Sequence, residues 1–172
     1  AFQKTGMTSV TVLKDISYGS NAFDSCASLV SVTVEEGVTE IGNYMFQNTK
    51  LTSVTLPNSV TKIGASAFNG CSLTTINFGQ GVKTIENSAF QNCGELTEII
   101  LPDATETLGQ NAFGDCPKLA KISLGKNMKT LEAYCFVGYS KGCPLLGDII
   151  CRATTPPTLK DDYGTGPFGG GW

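Results

Sequence analysis

Cysteine is the residue type best equipped for chemistry in this 172-residue chain, which carries seven of them. Five, Cys26, Cys71, Cys93, Cys116 and Cys143, recur at one place in a repeating pattern, two or three residues before a leucine. Thiols so placed could pack as small apolar groups, cross-link neighbouring units, or bind a metal. Packing in a vertical stack is the plainest reading. Cross-linking is the sharper one, with Cys71, Cys93 and Cys116 as candidates, because stacked strands lie ~4.8 Å apart and disulfide Cα separations start near ~4.4 Å. Metal binding is disfavoured, since there is neither a C-x₂-C pair nor a histidine. Cys135 stands where other units carry alanine, and Cys151 falls at an inward strand position, so all seven are expected in the interior. An odd set leaves at least one thiol unpaired or paired outside the chain.

The complete absence of histidine removes Ser-His and Cys-His nucleophile pairs and a neutral-pH imidazole base. Asp15, Glu86 and Glu132 fall on outer positions of different units, whereas a glycosidase needs two carboxylates facing one cleft. Asp161-Asp162-Tyr163-Gly164 is similar to the start of a calcium loop but lacks the alternating oxygen ligands and closing glutamate. No catalytic, cofactor-binding or metal-ligating residue is therefore assigned, and no cofactor is expected. A net charge of −3 without a basic cluster argues against nucleic acid as a partner. No apolar run approaches the ~18 residues of a membrane span. Charged residues are only 16% of the chain, against ~25% in typical domains, yet apolar content is 41%. That is too apolar and too weakly charged for a disordered segment.

What must position these groups is a repeat. Phenylalanine recurs at Phe23, Phe46, Phe68, Phe90, Phe113 and Phe136, at intervals of 23, 22, 22, 23 and 23 residues. A leucine follows each, at Leu29, Leu51, Leu73, Leu96, Leu119 and, after a short insertion, Leu146. Three residues beyond stand Val10, Val32, Val54, Ile76, Ile99, Ile122 and Ile149; two further come Val12, Val34, Leu56, Phe78, Leu101, Leu124 and Cys151. This alternation reads as a short strand with one buried face. A looser apolar site (Val38, Val60, Val82, Thr105, Met128) and a stricter one (Ile41, Ile63, Ile85, Leu108, Leu131) follow. Val60 to Ile63 is spaced for a second extended segment or tight turn, and Ser66 to Phe68 for a 3₁₀ or helical turn. One unit of this size cannot bury its apolar face alone, so the units must stack into a solenoid.

The clearest unit, LTSVTLPNSVTKIGASAFNGCS at residues 51–72, resembles the BspA-like bacterial leucine-rich repeat, also called the Treponema pallidum-type repeat. The likeness covers nearly the whole chain, and Ala153-Thr154-Thr155-Pro156-Pro157 is similar to the transition often found near the end of such arrays. The YVP-type strand expected after it is absent. The resemblance implies a leucine-rich repeat right-handed superhelix, with one short parallel β-strand per 22–23-residue unit and turns and 3₁₀ or short helical segments between. Residues 1–172 then form a single array: a partial unit 1–6, units 7–28, 29–50, 51–72, 73–95, 96–118 and 119–145, and a C-terminal transition unit 146–172. Phe2 stands five residues before Met7 as Phe46 does before Leu51, and Phe168 falls where a further repeat phenylalanine would lie. The chain is thus expected to be a fragment of a longer protein.

In a leucine-rich repeat the strand residues between the buried columns face the concave surface. One such column reads Ser9, Ser31, Ser53, Thr75, Glu98, Lys121 and Asp148; the next reads Thr11, Thr33, Thr55, Asn77, Ile100, Ser123 and Ile150. The N-terminal half is a carpet of small hydroxyls, which strand propensity and cross-strand pairs account for. Glu98, Lys121 and Asp148 instead alternate in sign, with Ile100 and Ile150 expected to be exposed beside them and Ser123 between the two in their column. The insertion 137–142 adds Tyr139 near that end. These seven residues are the candidate partner-binding set, since exposed apolar groups rimmed by charge point to interaction. The resemblance implies a non-catalytic module of a secreted or cell-surface bacterial protein, adhesive toward a protein or glycan such as host matrix. A ligand-free spacer displaying another domain is the alternative. No membrane insertion is expected in this segment, and the array is expected to be monomeric.

Overall fold

The computed structural model describes residues 2–137, 140 and 142–160, and Tyr139, Asp161, Asp162 and Phe168 lie outside them. Among the described residues strands follow one another in chain order. They are β1 (Ser9–Val12), β2 (Ser31–Val34), β3 (Glu40–Ile41), β4 (Ser53–Thr55), β5 (Lys62–Ile63), β6 (Thr75–Asn77) and β7 (Thr84–Ile85). The series continues through β8 (Glu98–Ile100), β9 (Thr107–Leu108), β10 (Lys121–Leu124), β11 (Thr130–Leu131), β12 (Asp148–Cys151) and β13 (Thr158–Leu159). Every pairing is parallel and joins equivalent positions of successive repeats, such as Ser9 with Ser31 and Val54 with Ile76. The chain is a parallel solenoid in which each winding is one sequence repeat.

Two sheets result. The two-residue strands, anchored by Ile41, Ile63, Ile85, Leu108 and Leu131, form an unbroken six-stranded ladder, β13-β11-β9-β7-β5-β3. The longer strands form three separate pieces, β1-β2, β4-β6 and β12-β10-β8, with no pairing from β2 to β4 or from β6 to β8. The second break coincides with Phe78, bulkier than the aliphatic residues of its column, and with a one-residue lengthening before Leu96.

The phenylalanines fill the interior in single file. Ring centroids step by 5.5, 5.4, 5.2 and 5.2 Å from Phe23 through Phe46, Phe68 and Phe90 to Phe113, with the ring planes nearly parallel. The last step, Phe113 to Phe136, widens to 6.5 Å. Leu29, Leu51, Leu73, Leu96 and Leu119 are fully buried with them.

The Phe-bearing segment is not helical. Tyr44, Ser66, Ser88, Asn111 and Tyr134 have φ between 54° and 57°, two residues before each phenylalanine. A left-handed residue there stops a right-handed helical turn from propagating. The backbone bonds between windings instead: the amides of Phe46, Phe68 and Phe90 each donate to the next winding's Ala67, Ala89 and Ala112 carbonyls at 2.8 Å. The expected 3₁₀ or short helical segments are replaced by turns among the described residues.

Burial departs from expectation at the rims. Val10, Val32 and Ile76 are only half-buried, and Ile149 and Cys151 are exposed. Among the described residues β12 is paired on one side, by β10, so its opposite side is uncovered. Cys151 therefore does not pack inward and Cys143 is only half-buried, while the other five cysteines are buried and all seven are free thiols.

Candidate functional site

The strand face carrying the candidate residues is built by β6, β8, β10 and β12. Strand register sets Lys121 between Glu98 and Asp148, and Ser123 between Ile100 and Ile150. Lys121 Nζ pairs with Glu98 Oε1 at 2.9 Å, and this hydrogen bond, with Glu98 and Asp148 charge behind it, holds the ammonium above its ordinary range. Both side chains are well exposed, so solvent screens the pair and it adds little to stability. Its role is to fix charge position rather than to stabilise the fold.

Ile100 and Ile150 stand out from this face, 59% and 45% exposed. Ser123 does not: it is 8% exposed, because its short side chain sits below the two isoleucines flanking it in register. Tyr139 lies outside the described residues.

A groove of about 530 Å³ opens where the ladder between β6 and β8 is interrupted. Glu98 and Ile100 line one wall, Thr75 and Asn77 the other, and Phe78 and Arg152 contribute to its lining. Phe78 is half-buried, its ring edge-on to Phe90 at 5.7 Å. Lys121, Ser123, Asp148 and Ile150 lie on the windings beyond.

Arg152, the single arginine in the chain, was not in the expected set. Its Nε donates to the Leu124 carbonyl at 3.2 Å and its Nη2 to the Leu101 carbonyl at 3.0 Å. A third guanidinium nitrogen lies 3.3 Å from Asp103 Oδ1. The planar fork thus spans two windings and satisfies carbonyls at the ends of their strands. Lys126, 3.0 Å from Asp103, holds that carboxyl below its ordinary range, with Arg152 adding to the effect. Every charge lining the groove is paired. The signals available in the sequence were the uniqueness of Arg152 and the one aromatic in an aliphatic column, Phe78.

Asp115 also went unnoticed. It is buried, and its Oδ1 accepts from the amides of Ser140 and Gly142 at 2.9 Å each, tying the insertion to the preceding winding. Among the described residues no group of three or more Cys, Asp or Glu is arranged to hold a metal ion. Among the described residues no helix is long and apolar enough to cross a membrane.

The family model described as BspA type leucine rich repeat region matches in six copies, over residues 1–65 and 16–142. A leucine-rich repeat protein from Bacteroides ovatus superposes with a TM-score of 0.70 at 31% identity, covering 83% of this chain and 37% of that one. One from Eubacterium ventriosum gives 0.67 at 26% identity, covering 95% of this chain and 47% of its own. A leucine rich cell surface protein from Faecalibacterium prausnitzii shares the fold at 18% identity and a TM-score of 0.52, over 86% of this chain and 60% of that one. The chain therefore spans less than half the length of the first two structures it resembles. No curated protein matches it.

Proposed function

The chain belongs to the BspA-type leucine-rich repeat family, and from that premise we propose that it is a non-catalytic binding module displayed outside a bacterial cell. In this reading the strand face from β6 to β12 takes a protein or glycan ligand, as in adhesion to host matrix or to other cells. The observation that carries it is the groove between β6 and β8, an opening of about 530 Å³ in an otherwise repetitive surface, rimmed by exposed Ile100 and the fixed Glu98–Lys121 pair. Recognition favours such places, where apolar side chains stand beside polar groups on a rigid scaffold.

The test is a quadruple variant, Glu98→Ala, Ile100→Ala, Lys121→Ala and Ile150→Ala, assayed for binding to immobilised matrix proteins, glycans and cells. All four side chains are exposed, so folding is retained. Binding by the parent and its loss in the variant is the expected result. Equal binding by both overturns this placement. A spacer role is the second reading, favoured by the N-terminal half: Ser9, Ser31, Ser53 and Thr75 present nearly the same surface winding after winding. A parent that binds nothing would favour it.

A further inference from the structure

We propose that Cys143 and Cys116 form a thiol–disulfide exchange site, which accepts a disulfide reagent or protein and closes into a cross-winding bond at the foot of the 137–142 insertion. The geometry begins with the cysteine column. Each thiol reaches the carbonyl of a phenylalanine in a preceding winding: Cys71 to Phe46 at 3.2 Å, Cys93 to Phe68 and Cys116 to Phe90 at 3.4 Å, and Cys143 to Phe113 at 3.3 Å. Neighbouring heteroatoms in this column touch. Where threonine fills the slot, Thr49 Oγ1 lies 3.3 Å from Cys71 Sγ and Thr5 Oγ1 lies 3.4 Å from Cys26 Sγ. Cys116 and Cys143 take consecutive places in this column, bound to the carbonyls of the stacked neighbours Phe90 and Phe113. Successive windings of a parallel ladder repeat every ~4.8 Å, inside the ~4.4–6.8 Å range of disulfide Cα separations.

Access then selects one pair. Cys71, Cys93 and Cys116 are buried, whereas Cys143 is half-buried at the open end of the column. Asp115, the chain neighbour of Cys116, grips the amides of Ser140 and Gly142 and so delivers Cys143 onto Cys116. Acidity divides the roles in the same way. The neighbouring Cys116 holds the Cys143 thiol below its ordinary range, against its own burial and the Asp115 charge. Cys143 in turn, with burial, pushes Cys116 up; burial carries Cys71 to about 11 and, with the neighbouring Cys71, lifts Cys93 well above the usual range. Cys143 is the attacking thiolate and Cys116 the resolving thiol.

The exchange balances with a disulfide as the oxidant. Cys143 thiolate attacks one sulfur of the incoming S–S bond, forming a mixed disulfide and expelling a thiolate that takes a proton from solvent. Cys116 gives its proton to solvent and attacks the Cys143 sulfur. The second thiolate departs and the intramolecular bond remains. Two protein thiols are oxidised, and one external disulfide is reduced to two thiols.

The test treats the folded protein with oxidised glutathione, then alkylates, digests and maps the products by mass spectrometry. The expected product is a Cys116–Cys143 cross-linked peptide, lighter by two hydrogens than the reduced pair, with a stable glutathione adduct at exposed Cys151. In Cys116→Ser the adduct at Cys143 should persist instead of resolving; a hydroxyl is accommodated in this slot, as Thr49 shows by donating to the Phe46 carbonyl of its own winding at 2.9 Å. A lasting glutathione adduct at Cys143 in the parent, a bond from Cys143 to Cys151 or from Cys116 to Cys93, or no reaction at Cys143 would each overturn the assignment. The parent experiment decides the matter even if the variant fails to fold.

Discussion

Replacing Phe90 with alanine tests the shared interior on which every other feature depends. Phe90 is fully buried, lies 5.2 Å from both Phe68 and Phe113 in the stack, and meets Phe78 edge-on. Truncating a buried phenylalanine costs about 3–5 kcal/mol, transfer and cavity terms together. Ring pairs add about 0.5–1.5 kcal/mol beyond area alone, so three partners place Phe90→Ala at the upper end. Domains of this size are stable by roughly 5–15 kcal/mol, so the loss is a third or more of the total. In a solenoid, stability is a sum of unit and nearest-neighbour terms, and this one ring belongs to two neighbouring interfaces. Urea titration followed by far-UV circular dichroism should show a lower midpoint and a broadened or split transition. Ile16→Ala, at a half-exposed site, is the control and should stay within about 0.5 kcal/mol of the parent. A Phe90→Ala cost below about 2 kcal/mol with a single sharp transition would mean the rings sit side by side without sharing an interior.

Arg152→Ala should destabilise by about 1–2 kcal/mol in the same titration, because the Leu101 and Leu124 carbonyls lose a charged donor at a half-exposed site. Arg152→Lys should recover less than half, since one ammonium cannot serve both carbonyls, and equal stability of all three forms would refute the bridging role. Alkaline pH should also destabilise. Cys71 is carried from 9.0 to about 11 on folding, so above pH 9 the unfolded chain releases a proton the folded one keeps. Stability is then fully present below pH 9 and falls towards pH 11, by about 2–3 kcal/mol for this thiol at ~1.4 kcal/mol per pH unit. At the acid end, Asp103 and Glu106 are held low by Lys126 and Lys129, so their contribution is present above the ordinary carboxylate range and fades as pH drops through it. Urea midpoints measured from pH 3 to 11 in the presence of reductant check both limbs, and a flat profile between pH 8 and 11 would refute the buried-thiol account.

The solenoid was legible because its interior is written in single residues at a fixed period. Phe46, Phe68, Phe90 and Phe113 predicted one another's place, and the rings stack in that order. The second extended segment was legible from Ile63 and its equivalents. The turns were not: polar or aromatic residues such as Asn111 and Tyr134 adopt positive φ where the winding requires it, and their types alone do not announce it. Ser123 lay in the right column, but its burial depends on two larger neighbours closing over it from adjacent windings. Arg152 was illegible for another reason. Its partner carbonyl on Leu101 is 51 residues away, and a backbone acceptor leaves no mark in a sequence. The cysteine slot was read as space for a small apolar group, whereas Thr49 there donates to Phe46. The slot lies beside two phenylalanine carbonyls: Thr49 donates to that of its own winding and Cys71 to that of the winding before, so a small donor of either kind fits it.

A strictly repeating surface offers every ligand the same winding several times over, so selective recognition has to come from the places where repetition fails. On the six-stranded side the failures are few and the charges cancel between windings, as where Lys62 lies 3.0 Å from Glu40 and 3.1 Å from Glu86. On the other side the departures accumulate within one stretch. Phe78 replaces an aliphatic residue, the strand ladder lapses between β6 and β8, Ile100 and Ile150 replace threonine, and Arg152 ties the windings of β8, β10 and β12 together on one side of the gap. The energetic consequence favours a rigid opening over a collapsing one. Arg152 bonds the windings that β8 and β10 begin, on one side of the groove, while the continuous six-stranded ladder runs unbroken behind it. Walls held in this way lose little further freedom when a partner docks, and low ordering cost is what lets a small patch bind.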